Sequence, residues 1–170
     1  NYFAKRLRAT LGDGSKYGIR IHHMEEKTPL GTAGSVKNCE SLIDETVAVA
    51  QGDNQFEFDL KGVVQLHRKV GAMVTMALTE VEDPSEYGIA KLSDGRVTRY
   101  LEKPRRTECF SNLINTGLYV VEPDVLKLVP EGKPFDFSRN LFPLMLESKM
   151  ALAGSRVSGF WVDIGDPRSY

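Results

Sequence analysis

Residues Thr46-Val47-Ala48-Val49-Ala50-Gln51-Gly52-Asp53-Asn54 constrain the fold more than any other stretch of this chain: an apolar run that stops at a glycine followed by a carboxylate. A short run bounded by turn residues suits a strand covered on both faces, as in a parallel α/β sheet. The glycine lets backbone or ligand come close at the carboxyl end of that strand. Asp53 then stands at the sheet edge, where open α/β sheets bind ligands, placed to hold a metal or a hydroxyl. Read alone, a Gly-Asp pair is more readily a turn that closes a strand, so the rest of the chain must decide.

With 170 residues, 41% of them hydrophobic, the chain suits one domain over residues 1–170 with a real core. Its 22 basic and 23 acidic residues nearly cancel, which speaks against a nucleic-acid or membrane surface. Any polyanionic ligand must be met locally. Cys39 and Cys109 have neither metal-ligand nor CxxC spacing and read as reduced thiols. No apolar segment is long enough to span a bilayer and no signal pattern opens the chain, so the expected location is cytoplasmic. The first residue is Asn1 rather than Met, so the expectation is a fragment of a longer polypeptide.

In chain order, residues 1–11 carry Phe3, Leu7 and Leu11 on one helical face and end at Gly12-Asp13-Gly14. Ile19 to Met24 reads as a strand whose His22 and His23 point to opposite faces and cannot share one metal without distortion. Thr28 to Ser35 is a glycine-bearing loop running into a helix over Val36 to Ile43, a junction whose free N–H groups suit phosphate or a base edge. N-capping by Thr32 or Ser35 explains it nearly as well. Asp59 caps a helix from Leu60 to Val70, with Leu60, Val63, Val64 and His67 along its stripe and His67 as a flank residue. Met73 to Val81 is a buried strand, and Tyr87 to Leu101 a hairpin turning at Ser93-Asp94-Gly95. Leu113 to Val121 is a strand interrupted by Asn115-Thr116-Gly117; a short helix opens at Glu122-Pro123, and Asp136 or Ser138 caps a helix through Leu146 that Pro143 enters or bends. Two strands, Ala151 to Val157 and Phe160 to Ile164, and a turn at Asp166-Pro167 close the chain. The economical fold is a Rossmann-like mixed, mostly parallel sheet with helices on both faces.

Five pieces stand in a fixed order: Leu30-Gly31-Thr32-Ala33-Gly34, Gly52-Asp53, Glu86-Tyr87-Gly88, Glu102-Lys103-Pro104 and Trp161-Val162-Asp163-Ile164-Gly165. With Asn112 to Tyr119 between the last two, the series resembles the sugar-phosphate nucleotidylyltransferases, which include the glucose-1-phosphate thymidylyl- and uridylyltransferases and the mannose-1-phosphate guanylyltransferases. The resemblance implies a nucleotide-diphospho-sugar transferase fold and the reaction of an NTP with a sugar 1-phosphate to give NDP-sugar and pyrophosphate. Asp53 and Asp163 match aspartates that hold Mg²⁺, and Leu30 to Gly34 the segment around base and sugar. Gly88, Glu102 and Asn115 match positions that hold the hexose, and Lys103 the lysine that meets the sugar phosphate. Gly52, Tyr87 and Trp161 join the substrate candidates as members of these motifs, although Trp161 by itself reads as packing. The residue types suit the chemistry: in-line attack of a phosphate oxygen on the α-phosphorus needs positioning and charge neutralisation rather than a covalent nucleophile. Mg²⁺ takes few protein carboxylates and completes its shell with phosphate and water, and a lysine is a compact charge for phosphate.

One family signature is missing, the glycine-rich GxGTRLxPLT strand and loop that cradles the triphosphate; Arg6 to Thr10 resembles its second half only by accident. The expectation is therefore a core without its first strand and triphosphate loop, turning over poorly or not at all alone, with an open sheet edge prone to dimerisation or completion by a partner chain. A non-catalytic sugar-nucleotide-binding or regulatory module is the alternative. A glycosyltransferase fits less well, because those enzymes present Asp-x-Asp and this chain reads Asp53-Asn54-Gln55.

Overall fold

A computed structural model describes residues 3–165; the turn expected at Asp166-Pro167 lies outside them. Helices α1 (Ala4–Leu11) and α2 (Gly31–Lys37) precede strands β1 (Val47–Ala50) and β2 (Asn54–Glu57), then α3 (Leu60–Val70) and β3 (Val74–Glu80). The hairpin β4 (Gly88–Ser93) and β5 (Arg96–Glu102) leads to β6 (Leu113–Val121), α4 (Phe142–Glu147), β7 (Leu152–Arg156) and β8 (Phe160–Asp163).

Six strands form one sheet in the order β1-β6-β3-β7-β5-β4, and β2 and β8 form a separate two-stranded ribbon. The sheet is mixed. Strands β1, β3, β4 and β7 share one direction and β5 and β6 oppose them, so the expected parallel majority holds for direction, while only the β3–β7 ladder is itself parallel.

The central strands read as continuous apolar runs because both faces are covered. On one face Val74, Met76, Leu78, Tyr119 and Val121 meet Phe137, Leu141, Phe142 and Met145 of the α4 segment. On the other, Ala77, Leu118 and Val120 meet Val63 of α3. Helix α3 starts as expected, with the Asp59 carboxylate accepting from the Lys61 N–H at 2.9 Å. The hairpin turn places Asp94 and Gly95 at φ 50° and 76°, the left-handed pair that a two-residue turn requires.

Several expectations are corrected. Strand β1 is not covered on both faces: it borders the sheet, pairs with β6 alone among the described residues, and turns Val47 and Val49 inward while Ala48 and Ala50 stay exposed. Residues 19–24 form no strand, because their amides bond locally: Ile21 N–H to Asp13 O at 2.8 Å and Ile19 N–H to Gly14 O at 3.3 Å. The helix placed over Val36 to Ile43 begins earlier, at Gly31, and stops at Lys37. The segment from Phe137 opens with a wide π turn through Leu141, and Pro143, which has no N–H to donate, sits at the start of α4.

His67 is not a flank residue. It is 2% exposed, with Nδ1 2.9 Å from the Thr75 hydroxyl and Nε2 2.8 Å from Glu122, whose carboxylate also accepts from Thr46 at 2.7 Å. This chain ties α3 to the starts of β1 and β3 and to the end of β6. The hydrogen bond from His67 holds the Glu122 carboxyl below its usual range. A depressed carboxyl pKa stabilises the fold above the unfolded value of 4.5, and that contribution disappears as pH falls through the folded value. Thermal melts from pH 7 to pH 3 should therefore show a steeper acid-side loss for the wild type than for Glu122→Gln, whose stability is lower but flatter over that range.

Candidate functional site

At the carboxyl end of β1 the chain turns through Gly52 and Asp53 into the β2–β8 ribbon, whose register sets Asn54 opposite Asp163. The ribbon is joined to the main sheet at Thr116. Gly117 lies at φ 78° beside a register shift in the β3–β6 ladder, and the Thr116 carbonyl accepts from Asn54 Nδ2 at 2.8 Å and Trp161 Nε1 at 3.0 Å. Asp53 and Asp163, 110 positions apart by number (163 minus 53), thereby converge. The Ile164 N–H donates to the Asp53 carbonyl at 2.8 Å. A methyl placed on Gly165 would stand 2.9 Å from Asp163 Oδ1 and 3.5 Å from Asp53 Oδ2, so both carboxylates border the space that this glycine leaves open.

Two hollows meet there. The larger, about 510 Å³, lies between α2 and β1 and is walled by Val36, Val49, Tyr119 and Phe137, with Gly52 and Asp53 at its rim. The smaller, about 200 Å³, is polar: Tyr87, Gly88, Glu102 and Lys103 form one side, Asn115, Trp161 and Asp163 the other. Gln51 lines both, and its carboxamide makes no hydrogen bond to protein among the described residues.

The smaller hollow is a connected hydrogen-bond network. Tyr100 donates to Glu102 Oε2 at 2.8 Å; Asn115 Nδ2 donates to the Tyr119 hydroxyl at 2.9 Å and the Tyr100 hydroxyl at 3.3 Å, while its Oδ1 accepts from the Gly117 N–H at 3.0 Å. Burial, and after it the Glu102 charge, push Tyr100 well above its ordinary pKa; burial pushes Tyr119 up to about 12. Both phenols therefore stay protonated at neutral pH, and Tyr100 remains a donor to Glu102. Gly88 has to be glycine, because a Cβ there would run into the Tyr100 hydroxyl and the Glu102 carboxylate. Trp161 packs edge-on against Tyr87, ring centres 5.5 Å apart.

Of the motif at Leu30 to Gly34, only Thr32 reaches the larger hollow. Ala33 is in the core, Gly31 backs onto Phe135, and Leu30 and Gly34 border a different hollow beside Lys37. Neither Thr32 nor Ser35 caps α2: the Ser35 hydroxyl donates to Gly31 O, and the Thr32 hydroxyl goes to Asp136. Three of the amides expected free at this helix start are occupied: the N–H of Thr32 donates to Asp136 Oδ1 and those of Ala33 and Gly34 donate to the Phe135 carbonyl. Asp136, expected as a cap, gives its own helix no side-chain bond. Gln51, Asn54 and Ser138 line the smaller hollow without having been candidate site residues; Ser138 was expected only as a possible helix cap. Gln51 and Asn54 sit beside the Gly52-Asp53 signal; nothing in the sequence near Ser138 pointed to a site.

The Nucleotidyl transferase family model matches residues 1–170. The chain belongs to the nucleotidyl transferase family. It is 35% identical to a mannose-1-phosphate guanylyltransferase catalytic subunit beta of Drosophila pseudoobscura pseudoobscura, covering 100% of this chain and 46% of that protein. It is 31% identical to a UTP–glucose-1-phosphate uridylyltransferase of Synechocystis sp., covering 100% and 48%. These names bear out the resemblance to sugar-phosphate nucleotidylyltransferases, and the chain spans about half the length of these relatives. A solved structure of HddC from Yersinia pseudotuberculosis complexed with GMP-PN superposes with a TM-score of 0.80 at 24% identity, over 99% of this chain and 72% of that one, which shows that the two share a fold.

Within that fold Lys103 is unusual. It holds φ 45°, its N–H donating to the Tyr87 carbonyl at 3.0 Å, at the rim of the smaller hollow. A left-handed non-glycine residue costs about 1 kcal/mol, which is tolerated where function requires it. Lys103→Gly should match or exceed the melting temperature of wild type, and exceed Lys103→Ala by about 1 kcal/mol in denaturant titrations. A Lys103→Gly protein clearly less stable than Lys103→Ala would show that the conformation is unstrained.

Proposed function

We propose that this chain is the core of a sugar-1-phosphate nucleotidylyltransferase, acting in the cytoplasm, which transfers a nucleoside monophosphate from an NTP to a sugar 1-phosphate and releases pyrophosphate. The carrying observation is the pair Asp53 and Asp163 flanking Gly165 where a large, mostly apolar hollow meets a small polar one. A nucleoside suits the first and a hexose the second, so the phosphates that join them lie between the two carboxylates.

In the small hollow Glu102, Asn115 and the backbone at Gly88 hold the hydroxyl groups of the hexose, Trp161 and Tyr87 wall its ring, and Lys103 meets its phosphate. A phosphate oxygen of the sugar then attacks the α-phosphorus of the NTP; that bond forms as the bond to the β-phosphate bridging oxygen breaks, and pyrophosphate leaves with the electron pair. No proton transfer from protein is needed. Asp53 and Asp163 would suit Mg²⁺: both carboxylates border the space beside Gly165, one at the rim of each hollow. Two protein ligands, the rest from phosphate and water, is the arrangement Mg²⁺ accepts, and the bound ion supplies neutralisation of phosphate charge.

The test is binding of the product. Titrating the chain with a panel of NDP-sugars in Mg²⁺ should change the emission of its single tryptophan, Trp161. Asp53→Asn, Asp163→Asn or removal of Mg²⁺ with EDTA should each weaken the best ligand at least tenfold. No response to any NDP-sugar would defeat the proposal. Binding by a full-length protein that releases no pyrophosphate from any NTP and sugar 1-phosphate pair would favour the binding-module alternative.

A further inference from the structure

Thr32 is fixed by a residue 104 positions away. Its N–H donates to Asp136 Oδ1 at 3.0 Å, its hydroxyl to the same oxygen at 3.2 Å, and the Phe137 N–H donates to that hydroxyl at 3.0 Å. Alongside, the Phe135 carbonyl accepts from Ala33 and Gly34 at 3.0 and 2.9 Å, and the Phe135 N–H donates to Leu30 O at 2.8 Å. Asp136 holds the N-cap position of the turn that follows it yet makes no capping bond there; Asn140 Oδ1 accepts from the Asp136 N–H instead, at 2.8 Å. Its carboxylate is spent on another helix.

The motif glycines answer to the same crossing. A Cβ on Gly31, which lies at φ 71°, would stand 2.8 Å from the Phe135 carbonyl oxygen, and one on Gly34 would stand 3.2 Å from Lys133 O. These glycines make room for residues 133–135 of this chain, not for a ligand. Phe137, two residues after Phe135, walls the larger hollow and packs on Tyr119 with ring centres 4.9 Å apart.

We propose that Asp136 is a positioning residue for the larger hollow: by tying Thr32 to the 135–137 segment it fixes α2 against Phe137 and so holds the walls of the space that takes the nucleobase. This rests on the nucleotidyl-transfer reading above. The tie also decides what can bind beside α2. With the Thr32, Ala33 and Gly34 amides occupied and a carboxylate at the start of the helix, that end repels phosphate and accepts the uncharged part of a nucleotide. The Thr32 hydroxyl, donating to Asp136 and accepting from Phe137, supplies shape rather than base reading.

The experiment titrates the chain and its variants with four NTPs, the matching nucleosides and inorganic tripolyphosphate by calorimetry, and with sugar 1-phosphates by Trp161 emission. Asp136→Ala should weaken the preferred NTP and its nucleoside by the same factor, tenfold or more, and leave tripolyphosphate and sugar 1-phosphate within twofold. Asp136→Asn, which keeps the accepting oxygen, should stay within threefold of wild type; Thr32→Val, which keeps the helix amide but loses the hydroxyl, should fall between them. Amide hydrogen exchange should quicken at Thr32, Ala33 and Gly34 in Asp136→Ala and not in Asp136→Asn. Wild-type nucleotide affinity in Asp136→Ala, equal loss of sugar and nucleotide, or failure of Asp136→Asn to rescue would overturn the positioning role alone. A wild-type chain that binds none of the nucleotides would instead overturn the reading of the hollow, and the role with it.

Discussion

A single buried carbonyl organises the site. Gly117 turns the backbone of β6 into a left-handed step, the ladder with β3 shifts register there, and Thr116 O takes two side-chain donors, Asn54 and Trp161. A buried carbonyl left without a donor costs about 1–3 kcal/mol, so the side chains that satisfy it are held firmly. Both belong to the β2–β8 ribbon, which pairs with no third strand among the described residues and would be marginal as an isolated pair of strands without this tie and the packing of Phe56 on the Val63 cluster. A Cβ at position 117 would run into Asn54, so the same glycine supplies both the conformation and the room. Asp163 meets Asp53 as a consequence of backbone geometry in a third strand.

That route was only partly legible in the sequence. The strands from Val74 to Val121 and the hairpin announced themselves through apolar runs and an Asp-Gly turn, because their hydrogen bonds are ladders and their side chains fill two covered faces. The irregularity at Asn115-Thr116-Gly117 was visible too, but not what it does: its partners come from residues 54 and 161, and no local pattern encodes that pairing. Residues 19–24 misled because β-branched residues state a preference for a ladder, not the presence of a partner. Asp59 was read correctly as a cap and Asp136 was not, although each precedes a helix; the Asp136 carboxylate is drawn to the start of α2, a competition settled by tertiary contact.

Of the residues the resemblance pointed to, Gly52, Asp53, Tyr87, Gly88, Glu102, Lys103, Asn115, Trp161 and Asp163 gather at the two hollows, while the 30–34 motif apart from Thr32 does not. The glycines of the 30–34 motif serve a backbone crossing, and Asn115 is held by two tyrosine hydroxyls and the Gly117 amide. A motif records where substitution is intolerable. It does not record whether a ligand or the chain itself fills the space.

Charge explains why the proposed chemistry depends on cations. The smaller hollow sets Glu86, Glu102 and Asp163 against Lys103, with Asp53 close by at the rim of the larger one. A sugar phosphate entering an acidic hollow of this kind is repelled before any hydroxyl is recognised, and Lys103 alone cannot reverse the sign. Tyr100 eases the cost at Glu102 by donating to it, and among the described residues Glu86, Asp163 and Asp53 have no ion pair to a protein cation. On the proposed reading the charges of Asp53 and Asp163 and the phosphates of both substrates are like-signed neighbours, a placement that becomes favourable only with divalent cations between them.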